Sequence, residues 1–561
     1  MNSKSSKPAS TYVKAVLTCG CFFYMELATA QFKEVSQTLG VDHYHKNPER
    51  MGGGAAFFDY NNDGFHDLFT TGGLKREKLY ENLGDGTFTD VSEMSGISTI
   101  PIASSSGVIV GDVNNDGCDD LFISTFKPYA NQLLLNNCDG TFSDVSDVAG
   151  ISEVSNSTGA AFIDINEDSY LDIYVINYIE NPGFIFDEDG NITGFDHDCD
   201  ANFLYINQGD LTFNEEAAVY GVDNIGCGLA VAATDVNSDG HCDLYIANDF
   251  GEWILPNEAY LNLDPGSKLT SVGSEYGLDA ALYGMGIAIG DLDGNHLKDY
   301  YVTNLGHNHF LSQISESNFN EMAQVAGISN GRVGDKQVTS WGTFFFDFDN
   351  DGDLDLFVAN GSVSSIEFLN TVDRDPDKIF INEGNGNCSS LESFDEVGSI
   401  QSNRGAVFSD YDLDGDLDVY SVAVDVSDEG NSRGSFYENQ TNQGNWVSFK
   451  LVGTNVNRNA YGALVKLYSG DIILERELYS GGTYASQSSQ ELHFGLGNLS
   501  KIDSISINWG AKNQIEIFRS LPLNQRIRIE QGTNLFEIMG CMDSASLSYN
   551  PSATYHTACQ N

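Results

Sequence analysis

The sequence predicts an all-β protein: a seven-bladed β-propeller of four-stranded blades, then a small β-sandwich-like domain and a short segment bounded by cysteines. Three observations predict it. First, an acidic loop of the form D-x-[D/N]-x-[D/N]-x-x-x-D occurs seven times in the 561 residues, starting at Asp59, Asp112, Asp164, Asp235, Asp291, Asp347 and Asp410. The interval of roughly 50 to 70 residues is that of propellers and other repeat architectures. Second, each loop runs into β-branched and aromatic text such as Leu68-Phe69-Thr70, Ile173-Tyr174-Val175 and Leu356-Phe357-Val358, which reads as strand. Third, a further hairpin follows most loops. In the first repeat it is Lys78 to Asn82, a Gly84-Asp85-Gly86 turn and Phe88 to Ser92, completing four strands.

The elements follow in order. Residues 1–30 carry Lys4, Lys7 and Lys14, an apolar run from Ala15 to Tyr24 and Ala28-Thr29-Ala30, the pattern of a secretory signal cleaved after Ala30. Residues 31–440 hold the propeller. A glycine stands five residues before most loops (Gly54, Gly107, Gly159, Gly286, Gly342, Gly405), where innermost strands crowd the axis and only small side chains fit. The seventh repeat stops after Phe436 to Asn439, one strand short, while Gln31 to Ser36 followed by Gly40-Val41 matches the fourth-strand text Thr87 to Ser92 with Gly96-Ile97. The N-terminal strand is therefore expected to complete the last blade and remove an open edge. Residues 445–531 alternate apolar and polar positions over several short strands. Residues 540–561 are too few for a core of their own and suit a disulfide-stapled cap or attachment segment.

The loops place oxygen ligands at positions 1, 3, 5 and 9. The sets are Asp59, Asn61, Asp63 and Asp67; Asp112, Asn114, Asp116 and Asp120; Asp164, Asn166, Asp168 and Asp172; Asp235, Asn237, Asp239 and Asp243. They continue with Asp291, Asp293, Asn295 and Asp299; Asp347, Asp349, Asp351 and Asp355; and Asp410, Asp412, Asp414 and Asp418. Calcium fits such sets, taking roughly six to eight oxygens in flexible geometry, and up to seven ions are expected. Turn propensity alone explains one such loop but does not require a carboxylate at position 9 in all seven. Flanking strands, not helices, exclude an EF-hand. Two loops depart from the pattern: Ser169 replaces the turn glycine in the third, and in the fifth the glycine has moved forward to Gly294. These are expected to be the weaker sites, because a side chain strains a turn that glycine adopts freely.

With 81 acidic and 27 basic residues the net charge is −54, and seven calcium ions would leave roughly −40. That charge argues against nucleic acid or an anionic membrane as partner and suits a soluble protein in a salty, calcium-containing medium. No segment after residue 30 is apolar for the roughly 20 residues a membrane-spanning helix needs. Eight cysteines follow the signal. In a secreted chain an even count suits disulfides, with Cys118–Cys138 and Cys541–Cys559 the expected pairs. No Cys/His spacing suits zinc.

These repeats resemble the FG-GAP/VCBS propellers of integrin α-subunits and of secreted bacterial proteins. The resemblance continues beyond them. Asn445-Trp446, Asn457-Arg458, Gly462-Ala463, Gly481-Gly482, Tyr484, Ser486-Gln487, His493 to Gly497 and Ile507 to Trp509 resemble an ASPIC/UnbV domain. The joint occurrence is more specific than either part and implies a relative of the cartilage acidic protein family. For Arg458 and His493, structural roles are expected over ligand contacts.

On the face opposite the loops the connections are longest: Tyr178 to Ala201, Asn248 to Trp253, His307 to His309 and Ser364 to Asp377. Long loops on a rigid ring are candidate recognition surface. Asp249, Trp253, His307, His309 and Trp341 are the residues expected to line a carbohydrate or protein site there. The functional expectation is an extracellular adhesion or recognition scaffold rather than an enzyme, since no nucleophile elbow, zinc-protease helix or phosphate loop is present. The alternative is a carbohydrate-active lyase or dehydratase built on the propeller, with His307 or His309 as base.

Overall fold

The computed structural model describes residues 31–559 except 48–49, 364–366, 373–374, 392–393, 395–397, 400, 426–431, 442, 511–513 and 547, so the signal-like segment lies outside the described residues. The fold is all-β with propeller-like repeats. Seven sheets, antiparallel except where His45–Lys46 joins the last one in parallel, each begin at an inner strand: Ala55–Phe58, Ser105–Gly111, Ser157–Ile163, Gly228–Thr234, Ile287–Gly290, Ser340–Phe346 and Asn403–Ser409. No sheet closes on itself. Instead, each inner strand packs against the inner strand of the next sheet, and Asn403–Ser409 packs against Ala55–Phe58. Strand Phe32–Glu34 pairs antiparallel with Ser435–Asn439, with Phe32 opposite Asn439, so the seventh sheet is built from both ends of the 31–440 region.

One carboxylate organises each repeat. The position-9 Asp opens the second strand and is buried in all seven sheets, from 0% exposed at Asp67 to 2% at Asp418. Asp172 shows the pattern: it accepts the Ile165 N–H at 3.1 Å, closing the loop, and the Asn207 N–H at 2.8 Å, ending the third strand. The residue that ends the third strand then reaches the neighbouring sheet. Asn136 Nδ2 donates to Tyr60 O in the first sheet at 2.8 Å, and Asn207 Nδ2 to Val113 O in the second at 2.9 Å. Asn262, Gln313, Asn382 and Asn439 repeat this toward Ile165, Val236, Leu292 and Phe348. Asn82 completes the cycle by donating to Tyr411 O of the seventh sheet at 2.7 Å. Buried backbone groups need such partners, and here one amide per sheet supplies them across every junction.

Two sheets form the C-terminal domain. One centres on Asn445–Val452, paired with Leu492–Gly497 and in parallel with Arg526–Glu530; the other centres on Ala463–Ser469, between Ile472–Leu478 and Ser504–Asn508. Val447, Phe449, Val465, Leu467, Ile505, Ile507, Ile527 and Ile529 form its core, which runs on into Ile109, Phe162 and Ile173 of the second and third sheets. Phe536–Gly540 adds to the first sheet's edge, and Cys541–Cys559 closes the tail. Cys118–Cys138 also forms as the sequence predicts; a third disulfide, Cys199–Cys227, is additional, and Cys242 and Cys388 are free thiols.

Two substitutions test the hydrogen-bond frame. Asp172→Ala strands two buried N–H donors and should cost about 3 kcal/mol or more, with or without chelator. Asn136→Leu leaves the Tyr60 and Asp119 carbonyls unmet at one junction and should cost about 2–3 kcal/mol. Urea midpoints on the two variants measure both.

Candidate metal loops and recognition face

The seven loops share a backbone path. Position 4 is left-handed at Asn62, Asn115, Glu167, Ser238, Asn350 and Leu413, with φ between 54° and 63°. In six loops position 6 is left-handed as well: glycine in five, at φ 91° to 106°, and Ser169 at φ 76° in the third. The fifth loop has Gly294 at position 4 and His296, φ 67°, at position 6. The two departures seen in the sequence therefore place a side chain in the left-handed region.

The loops differ in what the first carboxylate does. Asp59 accepts the N–H groups of Asp63 and Gly64, both at 2.9 Å, and Asp112, Asp164, Asp235 and Asp291 are held in the same way. In the two all-aspartate loops one oxygen is left over. Asp347 Oδ2 accepts Gly352 N–H at 3.0 Å and Asp410 Oδ2 accepts Gly415 N–H at 3.1 Å, while Asp347 Oδ1, Asp349 Oδ1 and Asp410 Oδ1 are buried without a partner. Oxygens of Asp347, Asp349 and Asp351, of Asp410, Asp412 and Asp418, and of Asp291, Asp293 and Asp299 lie within 4.8 Å of one another in each group. Burial first, then the neighbouring carboxylates, pushes Asp412 up to about 7. Asp347 rises to about 8 for the same reasons, against the opposing charge of Arg476. Orphaned buried oxygens among converging carboxylates fit a metal ion, and an oxygen-only donor set fits a hard one.

The C-terminal domain sits on this loop face. Asn459 Oδ1 accepts Asp112 N–H at 2.8 Å, Glu477 accepts Asp235 N–H at 2.9 Å, and Gly495 N–H donates to Asp347 Oδ2 at 3.1 Å. Glu477 also pairs with Lys298 at 2.8 Å, and the buried Arg526–Glu491 pair donates onward to Gly64 O at 2.7 Å. His493 is buried against Asn350, Nε2 lying 2.6 Å from Oδ1, and burial lowers its pKa to about 3; it is a neutral packing residue. From this domain the loop 479–489 enters the space enclosed by the seven inner strands. Ala485 O accepts Val108 N–H at 3.1 Å, Ser480 and Gly481 pair with Ala233 and Ala232, and Thr483 Oγ1 accepts Thr343 N–H at 3.1 Å. Ser486 Oγ accepts Ala55 N–H at 3.0 Å, and Ser489 N–H donates to Phe408 O at 3.1 Å. A Cβ at Gly54 would stand 2.0 Å from Ala485 O, so the small residues of the inner strands make room for this loop.

Comparison with known proteins decides the family. A model described as FG-GAP-like repeat matches residues 59–123, 112–175, 235–302 and 347–421, and one described as ASPIC and UnbV matches 453–535. Cartilage acidic protein 1 from mouse is 23% identical over 511 residues, covering 86% of this chain and 74% of that protein; the human protein is 23% identical over 513 residues, covering 86% and 72%. The chain is an FG-GAP-repeat protein with an ASPIC/UnbV domain. Among solved structures, an Agrocybe aegerita lectin with specific recognition of non-reducing terminal N-acetylglucosamine aligns at a TM-score of 0.36 and 17% identity, over 60% of this chain and 79% of the lectin. Three disulfides and the Cartilage acidic protein relatives fit an extracellular protein, and among the described residues no helix is long and apolar enough to cross a membrane.

On the face away from the ASPIC/UnbV domain, the five residues expected to line a ligand site have different environments. Trp341 is 1% exposed, lies under Arg404, whose guanidinium carbon is 3.9 Å from the ring, and donates to Gly361 O at 2.8 Å. It belongs to the core rather than to a surface, as expected of a large apolar ring 4.9 Å from Tyr484 of the loop 479–489, the hub loop. Asp249 is buried and accepts from Tyr178 Oη at 2.6 Å, and burial pushes it up to about 7. Trp253 is half-buried among Phe195, Tyr283 and Phe368. His307 is exposed and His309 partly buried, with its pKa lowered by burial. The sequence reading missed the Asn/Gln chain between sheets and the hub loop. The first had a signal, an amide ending the third strand of each FG-GAP repeat; the second had only the small residues Gly481-Gly482, whose partners lie far away in sequence.

Two predictions follow from these environments. Ser169→Gly removes left-handed strain at position 6 and should raise stability by about 0.5–1 kcal/mol, less the Ser169 hydrogen bond to Asn455 O. Asp249, raised in the folded state, stabilises fully only below its unfolded pKa, and that contribution is lost as pH rises toward 7, up to about 4 kcal/mol in all. Asp249→Asn should therefore match or exceed the parent's urea midpoint at pH 8 and lose that advantage by pH 4.

Proposed function

We propose that this protein is a secreted or cell-surface, calcium-stabilised seven-bladed propeller that acts as an extracellular adhesion or recognition scaffold for a protein or carbohydrate ligand. The observation that carries the reading is the cyclic packing of seven inner strands around the loop 479–489. That loop fills the axis where a propeller would present a central channel, and the ASPIC/UnbV domain covers the loop face. The opposite face, which carries the longest connections, is left for a partner.

Calcium is the ion the donor sets favour: each loop offers oxygens from carboxylates and amides at positions 1, 3, 5 and 9. In this reading the ion neutralises carboxylates that otherwise repel, and its binding free energy becomes folding free energy. Each ion present at 100 times its Kd then adds about 2.7 kcal/mol. The role is proposed as non-enzymatic. Two buried carboxylates outside the loops are engaged structurally, Asp249 by Tyr178 and Asp377 by Asn403 and Asn360.

Excess EDTA should lower the melting temperature by more than about 10 °C, with recovery on adding calcium. Elemental analysis should find calcium in the folded protein and lose about one equivalent in each of Asp347→Asn and Asp410→Asn. A melting curve indifferent to EDTA, or folded protein free of divalent metal, would exclude this function for the loops. Turnover of neutral or acidic polysaccharides by the calcium form would exclude the non-enzymatic reading.

A further inference from the structure

The insertion in the third repeat is a two-stranded ribbon, Phe184–Phe186 paired with Ile192–Phe195. Successive residues of a strand point to opposite faces, yet Phe184, Ile185 and Phe186 are all open to solvent, at 39%, 44% and 59%. Both faces of this ribbon are therefore apolar and wet at its tip. Its root is fixed. Cys199 is bonded to Cys227, Gly183 N–H donates to His197 at 2.9 Å, and Phe195 packs against Phe250 at 4.7 Å and Trp253 at 5.4 Å. Phe195 shares its apolar cluster with Tyr484 and Ala485, so the ribbon stands over the end of the hub loop. Phe368, 41% exposed and 6.2 Å from Phe195, extends the patch. A rigid, contiguous apolar patch kept in water is the mark of an interaction surface rather than of scattered surface residues.

Charge selects the partner. The turn of the ribbon is Asp187-Glu188-Asp189, all exposed, and Asp196, Asp198 and Glu252 are exposed beside the patch. Lys127, at the root of the insertion, is taken up by Glu180 and Asp200. In a chain of net charge −54, this rim repels a second copy, an anionic lipid surface and an acidic glycan, and steers cationic partners. We propose that the ribbon and its aromatic neighbours dock a basic protein segment that inserts aliphatic or aromatic side chains between Phe184, Phe186, Trp253 and Phe368 while its Lys or Arg residues meet the acidic rim. The proposal rests on the scaffold reading and names the partner class for its free face.

The test uses the full chain in calcium with four probes: an amphipathic Lys/Leu peptide, the same peptide with Glu for Lys, a neutral-glycan array and phosphatidylcholine/phosphatidylserine vesicles. The Lys/Leu peptide should bind, the Glu form should not, and the Phe184→Ser/Phe186→Ser double variant should weaken binding about tenfold. Asp187→Asn/Glu188→Gln/Asp189→Asn should weaken it about fivefold and flatten its salt dependence. All five apolar and acidic sites changed are exposed, so calcium content and melting temperature should stay at parental values, which separates failure of this proposal from failure of the scaffold. Peptide binding indifferent to the Phe184/Phe186 substitutions would mean charge attraction alone and overturn the proposal. So would glycan or vesicle binding lost in that variant.

Discussion

The structure depends on one buried carboxylate repeated seven times. The position-9 Asp cannot be left without partners at 0–2% exposure, and its two backbone donors come from different elements, the loop that precedes it and the end of the third strand. A single side chain thus fixes the inner hairpin and the register of the outer one. The amide ending the third strand then passes the constraint to the neighbouring sheet. Apolar contacts are non-directional, so this hydrogen-bond chain, together with bonds between inner strands such as Ser106 Oγ to Ser157 O and Thr158 Oγ1 to Gly228 O, specifies how each sheet is angled against the next. The last amide, Asn82, reaches the seventh repeat, so a slip at one junction would have to be absorbed by all the others.

The same carboxylates create an electrostatic problem that the C-terminal domain helps to solve. Clustered acids on one face repel, and the domain brings Arg476 to 3.9 Å from Asp347, Lys450 to 3.9 Å from Asp59 and the Arg526–Glu491 pair over Gly64. It also supplies acceptors, Asn459 and Glu477, for the N–H groups of Asp112 and Asp235, which start two of the loops. Loop conformation and domain docking therefore share atoms. A cation that draws the loop oxygens inward and the domain that braces the same loops from outside act on one conformational equilibrium, and ions and domain are expected to stabilise each other.

Much of this was legible in the sequence because it is local. The Asp/Asn loops, the strands leaving them and the disulfides Cys118–Cys138 and Cys541–Cys559 depend on residues within about one repeat, and periodicity exposes such signals. Gly54, Gly107 and Gly405 were legible as positions with no room for a side chain, but what crowds them was not: the nearby atoms belong to Ala485 and Ser486, some 80 to 430 residues away. Trp341 shows the converse limit. Its place near a long connection suggested a surface, whereas the Tyr484 ring and the Arg404 guanidinium, which bury it, come from other repeats and another domain. Long-range partners leave no period to read.

The two faces of the molecule follow different physical rules, and this difference carries the argument about function. On the loop face the C-terminal domain is already bonded to the loops through Asn459, Glu477 and Gly495, so a further macromolecule there would have to displace interactions already made. On the other face the partners are aromatic: Phe195, Phe250, Trp253 and Tyr283 lie ring to ring between 4.7 and 6.3 Å apart. Aromatic surface offers contact area at little conformational cost. It also needs no exchange of hydrogen bonds before a partner can dock. Burying the exposed part of the Phe184–Phe186 tip would return about 25 cal/mol per Å² of apolar area removed from water, a gain that the tip cannot make within its own chain because the disulfide and the ring contacts at its root hold it away from the core.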